Sequence, residues 1–141
     1  MQTSLTWERL DTGTEHEEVV LCSDPAAGFR GVIAVHSTAL GPAVGGTRLW
    51  RYPSDDEAIA DALRLSRGMT FKCAVAGVPL GGGKAVVLQN GGAVADRPAL
   101  FRALGRFVER FGGRYITAED VGTTPADLEH VLLETRHVAG L

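Results

Sequence analysis

The chain has 141 residues, 45% hydrophobic and 22% charged, with a formal net charge of -3. That profile is of one folded domain with its own core and excludes a disordered chain. It supplies no electrostatic footprint for nucleic acid or an anionic membrane.

The opening stretch from Met1 to Leu10 lacks the basic and apolar regions of a secretory leader, and no apolar run is long enough to span a bilayer, so a cytoplasmic protein is expected. Cys22 and Cys73 lack metal or redox spacing and are expected as free thiols. Val19-Val-Leu-Cys22 reads as a strand, Asp24-Pro-Ala-Ala-Gly28 as a turn, and Phe29 to His36 as a second strand pairing antiparallel with the first. Gly41 to Gly46 is read as irregular, because glycine and proline break regular structure, and Thr47 to Tyr52 as a short strand. Ser54-Asp-Asp-Glu57 has the pattern of a capping box. The helix after it places Ile59, Ala62, Leu63, Ser66, Thr70 and Cys73 on one face and continues through Gly68.

Lys84 to Leu88 reads as a strand entered from glycines. Asp96 and Pro98 open a helix whose Leu100, Phe101, Leu104, Phe107, Val108 and Phe111 form an apolar face ended by Gly112-Gly113. Arg114 to Thr117 is a further strand, and Thr124-Pro125 opens a last helix with Leu128, Val131 and Leu132 inward. This order predicts a layered α/β/α domain, its sheet mixed but mostly parallel.

Gly81-Gly-Gly-Lys84 invites comparison with a phosphate loop, but Val78 stands where the first glycine belongs, Ala85 follows the lysine, and the glycines lead into a strand. A glycine turn ending in a surface lysine accounts for it equally well, although three glycines make more sense where backbone must come close to a ligand. Lys72 shares a helical stripe with Leu65, Met69 and Ala76. It either extends its ammonium to water or meets a carboxylate ligand. Asp120 follows a strand and precedes Gly122, either capping a turn or serving as a catalytic carboxylate. Two lysines near each other disfavour double protonation, so one of them is suited to general-base work beside a carboxylate. Such a set suits an α-amino acid, which brings its own carboxylate and amine. No metal site is expected: His16, His36, His130 and His137 lack ligand spacing and are read as structural or surface residues, His130 and His137 lying within possible reach of each other.

Four segments, Gly41 to Arg48, Gly68 to Ala74, Gly81 to Val86 and Arg114 to Thr123, together resemble the N-terminal domain of the glutamate/leucine/phenylalanine/valine dehydrogenases, most closely the leucine, valine and phenylalanine members. The resemblance runs from about Glu17 onward. It implies that Lys72 binds the substrate carboxylate, Lys84 is the general base for water, and Asp120 exchanges protons with the amine. It implies that Gly45 and Gly46 line the substrate, Met69 packs beside it, and Val44 and Ala118 form part of a pocket for an apolar side chain. Cys73 follows the motif lysine as in phenylalanine members, whereas leucine members usually carry Asn; Ala139 also departs from the leucine pattern, and both blur specificity.

The implied reaction is NAD-dependent oxidative deamination of an apolar L-amino acid to a 2-oxo acid and ammonia. The implied partners are that amino acid and further copies of the chain in a homo-oligomer. Relatives continue into a Rossmann domain that holds NAD. Residues 1–141 are read as the substrate-binding, catalytic-lysine and oligomerisation domain alone, with the NAD-binding domain absent and no turnover expected from the chain by itself. The alternative is a stand-alone oligomerisation or amino-acid-binding module without catalysis.

Overall fold

The computed structural model describes residues 4–90 and 92–141; the first three residues of the segment read for a leader lie outside them. In chain order come β1 (Thr6–Arg9), β2 (Glu18–Asp24), a 3-10 turn (Pro25–Ala27), β3 (Phe29–Ser37), β4 (Ala43–Val44), β5 (Thr47–Trp50), α1 (Asp55–Ala76), β6 (Gly81–Leu88), α2 (Arg97–Glu109), β7 (Tyr115–Ile116) and α3 (Pro125–Leu132). The sheet order is β1-β2-β3-β6-β4-β7, with β5 also paired to β6.

The sheet is mixed as expected but mostly antiparallel, not mostly parallel. The long ladders β1–β2, β2–β3 and β3–β6 are antiparallel, while the parallel pairs of β6 with β4 and β5, and of β4 with β7, are short. Alternation of strands and helices along the chain carries no information on which strand becomes whose neighbour. Here β6 inserts beside β3 and inherits an antiparallel partner.

Each face of the sheet has its own cover. Phe101, Leu104, Phe107 and Val108 of α2 and Leu128 and Val131 of α3 pack on Val20, Ile33, Val35, Ala85 and Val87. Alternate residues Val19, Val32, Ala34, Val86 and Leu88 point the other way, onto Ala58 and Ala62 of α1. The three layers expected from the element order are therefore present. Leu132 is the exception to the reading of α3: it is exposed.

Helix starts follow side-chain chemistry. Ser54 accepts the N–H of Glu57, one half of the expected capping box, and Asp55, Asp56 and Glu57 add negative charge at the N-terminus of α1. The complete box is at α3, where Thr124 and Asp127 cap each other reciprocally. Gly77 in the left-handed region ends α1. Both cysteines are buried and free, and burial pushes the Cys22 thiol up to about 12. Among the described residues, no helix is long and apolar enough to cross a membrane.

Candidate functional site

The three glycines Gly81 to Gly83 do not form a turn before a strand. They are the first residues of β6, buried and tightly enclosed. A β-carbon on Gly82 would lie 2.2 Å from the Thr70 nitrogen and 2.4 Å from the Ser66 carbonyl oxygen of α1. On the opposite face, one on Gly83 would lie 2.6 Å from the Tyr115 ring. The sequence therefore lets α1 settle directly on β6, and Lys84, two residues after Gly82, projects from the same face of the sheet.

β4 and β5 behave as one strand interrupted at Gly45-Gly46, running between β6 and the segment 115–119. Hydrogen bonds from the N–H groups of Ala43, Gly45, Thr47 and Leu49 to Arg114, Ile116, Ala118 and Val121 form one side of it. At the interruption a Gly45 β-carbon would lie 1.6 Å from the Gly83 oxygen, and a Gly46 β-carbon 2.6 Å from the Glu119 oxygen. Only glycine permits this approach. Tyr115, fully buried, donates its hydroxyl to the Gly45 carbonyl at 2.6 Å and lies 3.1 Å from Thr117 Oγ1. Burial raises the Tyr115 phenol well above its ordinary value, so it remains a neutral donor there.

The close approach brings Lys84 and Asp120 together. Lys84 is 6% exposed, and its ammonium donates to Asp120 Oδ2 in a short ion pair. Asp120 Oδ1 accepts the Val121 N–H at 2.7 Å, while the Asp120 N–H donates to Thr123 Oγ1 at 2.9 Å. Burial raises the Asp120 carboxyl, but the Lys84 ammonium, the Val121 N–H and the charges of Lys84 and Arg48 outweigh it, so the acid lies below its ordinary value.

Lys72 is exposed near the end of α1, and among the described residues no hydrogen bond or ion pair holds it. Met69, one turn before, is half-buried. The stripe read from Leu65 to Ala76 therefore lies on the shoulder of α1, beside the buried line of Ser66 and Cys73. His36 fixes this half of the helix: it is buried, 2.7 Å from Thr70 Oγ1 and 2.8 Å from Glu15, with its ring 4.7 Å from that of His16. The histidines that meet are thus 16 and 36. His137 lies against Gly113 and 3.9 Å from Glu109.

α1 packs chiefly on β6 and β3. Val44 is in register with Gly82 and Ile116, which places it on the α1 face, and alternation places Ala118 there too. Val44, Ile116 and Ala118 are half-buried, a shelf of small and apolar groups next to the Lys84–Asp120 pair. Gly45 and Gly46 are buried beneath it.

Four polar groups at this site, Arg48, Asp61, Tyr52 and Arg64, escaped the sequence reading. Arg48, in register with Val86, sits with its Nη1 3.4 Å from Asp61 Oδ2 and its Nε 3.8 Å from Asp120 Oδ2. Tyr52 donates its hydroxyl to Asp61 Oδ2 at 2.5 Å, and Arg64 donates to Oδ1. Strand alternation after Thr47 would have placed Arg48 on the face of Lys84, but nothing in the spacing ties it to Asp61. No group of His, Cys, Asp and Glu suited to a metal ion occurs among the described residues.

The arrangement can bind a small zwitterion: cations for a carboxylate, a carboxylate for an ammonium group, and an apolar shelf for a side chain. It does not suit a dinucleotide, because the glycines that could approach a phosphate are enclosed within β6.

Residues 16–137 match the family described as Glu/Leu/Phe/Val dehydrogenase, dimerisation domain. The chain is 53% identical over 128 residues to a leucine dehydrogenase of Geobacillus stearothermophilus, covering 90% of this chain and 34% of that protein. It is 52% identical over 129 residues to a phenylalanine dehydrogenase of Bacillus thermotolerans, covering 91% of this chain and 33% of that protein. The crystal structure of L-tryptophan dehydrogenase from Nostoc punctiforme superimposes with a TM-score of 0.81 at 46% identity, over 88% of this chain and 36% of that one. The chain thus spans about a third of the length of these relatives.

Proposed function

The chain belongs to the Glu/Leu/Phe/Val dehydrogenase family, matched over its dimerisation domain, and from that premise we propose that it is the substrate-binding half of an amino-acid dehydrogenase acting on an apolar L-amino acid. The observation that carries this reading is the meeting of Lys84 and Asp120, 36 residues apart in sequence, beside the half-buried shelf of Val44 and Ala118.

In this reading the reaction is the reversible oxidative deamination of a branched-chain or aromatic amino acid, valine included, to its 2-oxo acid and ammonia. Lys72, exposed and without a partner among the described residues, takes the substrate carboxylate by a charge-assisted bond. The substrate ammonium has the chemistry of the Lys84 side chain and competes with it for Asp120. Two like charges at one carboxylate favour loss of a proton from one of them. Asp120 exchanges protons with the substrate amine, and Lys84, released and deprotonated, takes a proton from the water that attacks the imino carbon. Val44, Met69 and Ala118 receive the apolar side chain, and Gly45 and Gly46 line the substrate where their missing β-carbons let the chain approach Gly83 and Glu119. NAD is assigned to a part of the enzyme outside these residues, and self-association is assigned to this domain.

Calorimetric titration of the 141-residue chain with L-leucine and L-phenylalanine tests the proposal. Saturable binding that Lys72→Ala weakens is expected, together with no NAD reduction by this chain alone. Absence of binding to both amino acids, or binding indifferent to Lys72, contradicts the site. NAD reduction by the chain alone contradicts the division of labour.

A further inference from the structure

The Arg48 guanidinium has an environment that a simple structural ion pair does not require. It is rooted on β5 and reaches over the α1 face beside Lys84. Its side chain is 23% exposed, yet Nε is buried and has no hydrogen-bond partner among the described residues. Asp120 Oδ2 lies 3.8 Å from that nitrogen, too far for a hydrogen bond. The other side of the guanidinium is anchored by Asp61 of α1, which Tyr52 and Arg64 hold in place.

We propose that Arg48 is a positioning residue for Asp120, a second cation that keeps this carboxylate charge-compensated and in place when Lys84 turns from it to the ligand. This inference rests on the reading of Lys84 and Asp120 given above. A half-buried carboxylate stripped of its ammonium partner is unfavourable, and so is a buried N–H without an acceptor. A small movement of Asp120 towards Arg48 removes both conditions together. The distance of 3.8 Å is therefore that of the lysine-engaged state, in which Oδ2 is already taken by Lys84. Asp61 limits how far Arg48 can follow Asp120, which aims the carboxylate and leaves Lys84 free to move.

The groups that face Asp120 are Lys84 from β6 and Arg48 from β5, with Asp61 and Arg64 of α1 acting through Arg48, the exposed Glu119 next to it in the chain, and the neutral Tyr115 of β7 acting on it from the other face of the sheet. The test is carboxyl-carbon NMR titration of the 141-residue chain without ligand, comparing wild type with Arg48→Gln and Arg48→Lys. In R48Q the Asp120 midpoint should rise by about one pH unit, the effect of removing a cation at this range. R48K, which keeps the charge, should show less than half of that. Asp127, paired with Arg97 at 2.6 Å, should not move. An unmoved Asp120 in R48Q, or an equal shift at Asp127, overturns the proposal. Should R48Q fail to fold, the wild-type chain decides the matter: the Arg48 Nε–H resonance should shift with the midpoint of Asp120, and a resonance indifferent to it overturns the proposal. None of these readouts needs an amino acid to bind, so they fail separately from the function proposed above.

Discussion

α2 and α3 close over one face of the sheet, burying Phe101, Leu104, Val108, Leu128 and Val131 to 0% exposure against β2, β3 and β6. On the other face α1 covers β3 and β6, while Val44, Ile116 and Ala118 remain half-buried. The closed face holds apolar side chains in bulk. The partly open one holds Lys84, Asp120, Arg48 and Asp61, kept close by glycines that let backbones touch. Apolar packing is concentrated on the first face, and the charged groups are gathered at the margin of the second.

Substitutions should separate the two faces. The largest effect is expected at Gly45, where alanine would drive its β-carbon into the Gly83 oxygen; the fold should lose more than about 3 kcal/mol, read by denaturant unfolding. Phe101→Ala, on the closed face, should cost about 3–5 kcal/mol by cavity formation while leaving the geometry of Lys84 and Asp120 intact. Lys84→Ala in the complete enzyme should lower kcat by about 10²–10⁴, as loss of a general base does, with a smaller effect on stability.

Acid should act on several carboxylates together. Burial raises Asp120, Asp61 and Asp127, but Lys84, Tyr52 and Arg97 respectively lead the groups that outweigh it, so each has a folded value below its unfolded one. Their contribution is fully present above about pH 4, the unfolded value, and is lost as the pH falls through the lower folded values. The thermal midpoint should therefore drop steeply below about pH 4, and less steeply in Lys84→Met. The smallest effect marks the contrast with Gly45: Gly68, mid-helix with open space around it, should gain up to about 1 kcal/mol on substitution by alanine.

The long elements were legible in the sequence because each carries its own period or cap: the β2–β3 hairpin, α1 after Ser54, α2 with its apolar face. β1 was not, since Thr6 to Arg9 is largely exposed and has little apolar alternation. β4 was hidden by Gly41, Pro42 and Gly45, which suggest irregular backbone, although two parallel neighbours hold Ala43 and Val44 extended. Gly81 to Gly83 lie inside β6 for the same reason: neighbouring strands supply what three glycines lack in preference. The strand neighbours, and with them the antiparallel majority, are set by long-range packing that no local pattern encodes. At the site, Lys84 and Asp120 stood out by the glycines near them and Lys72 by its helical stripe, and their roles came from the family resemblance. Tyr115, Tyr52 and Asp61 did not, because a buried hydroxyl or a helix carboxylate gains meaning only from what it touches.

A crystal structure of the chain with L-phenylalanine would show whether Lys72, Asp120 and the shelf of Val44 and Ala118 hold one ligand. The ligand carboxylate is expected at Lys72, its amine at Asp120 in place of the Lys84 ammonium, and its ring over Val44 and Ala118. A ligand bound elsewhere, with the Lys84–Asp120 pair undisturbed, would contradict this site.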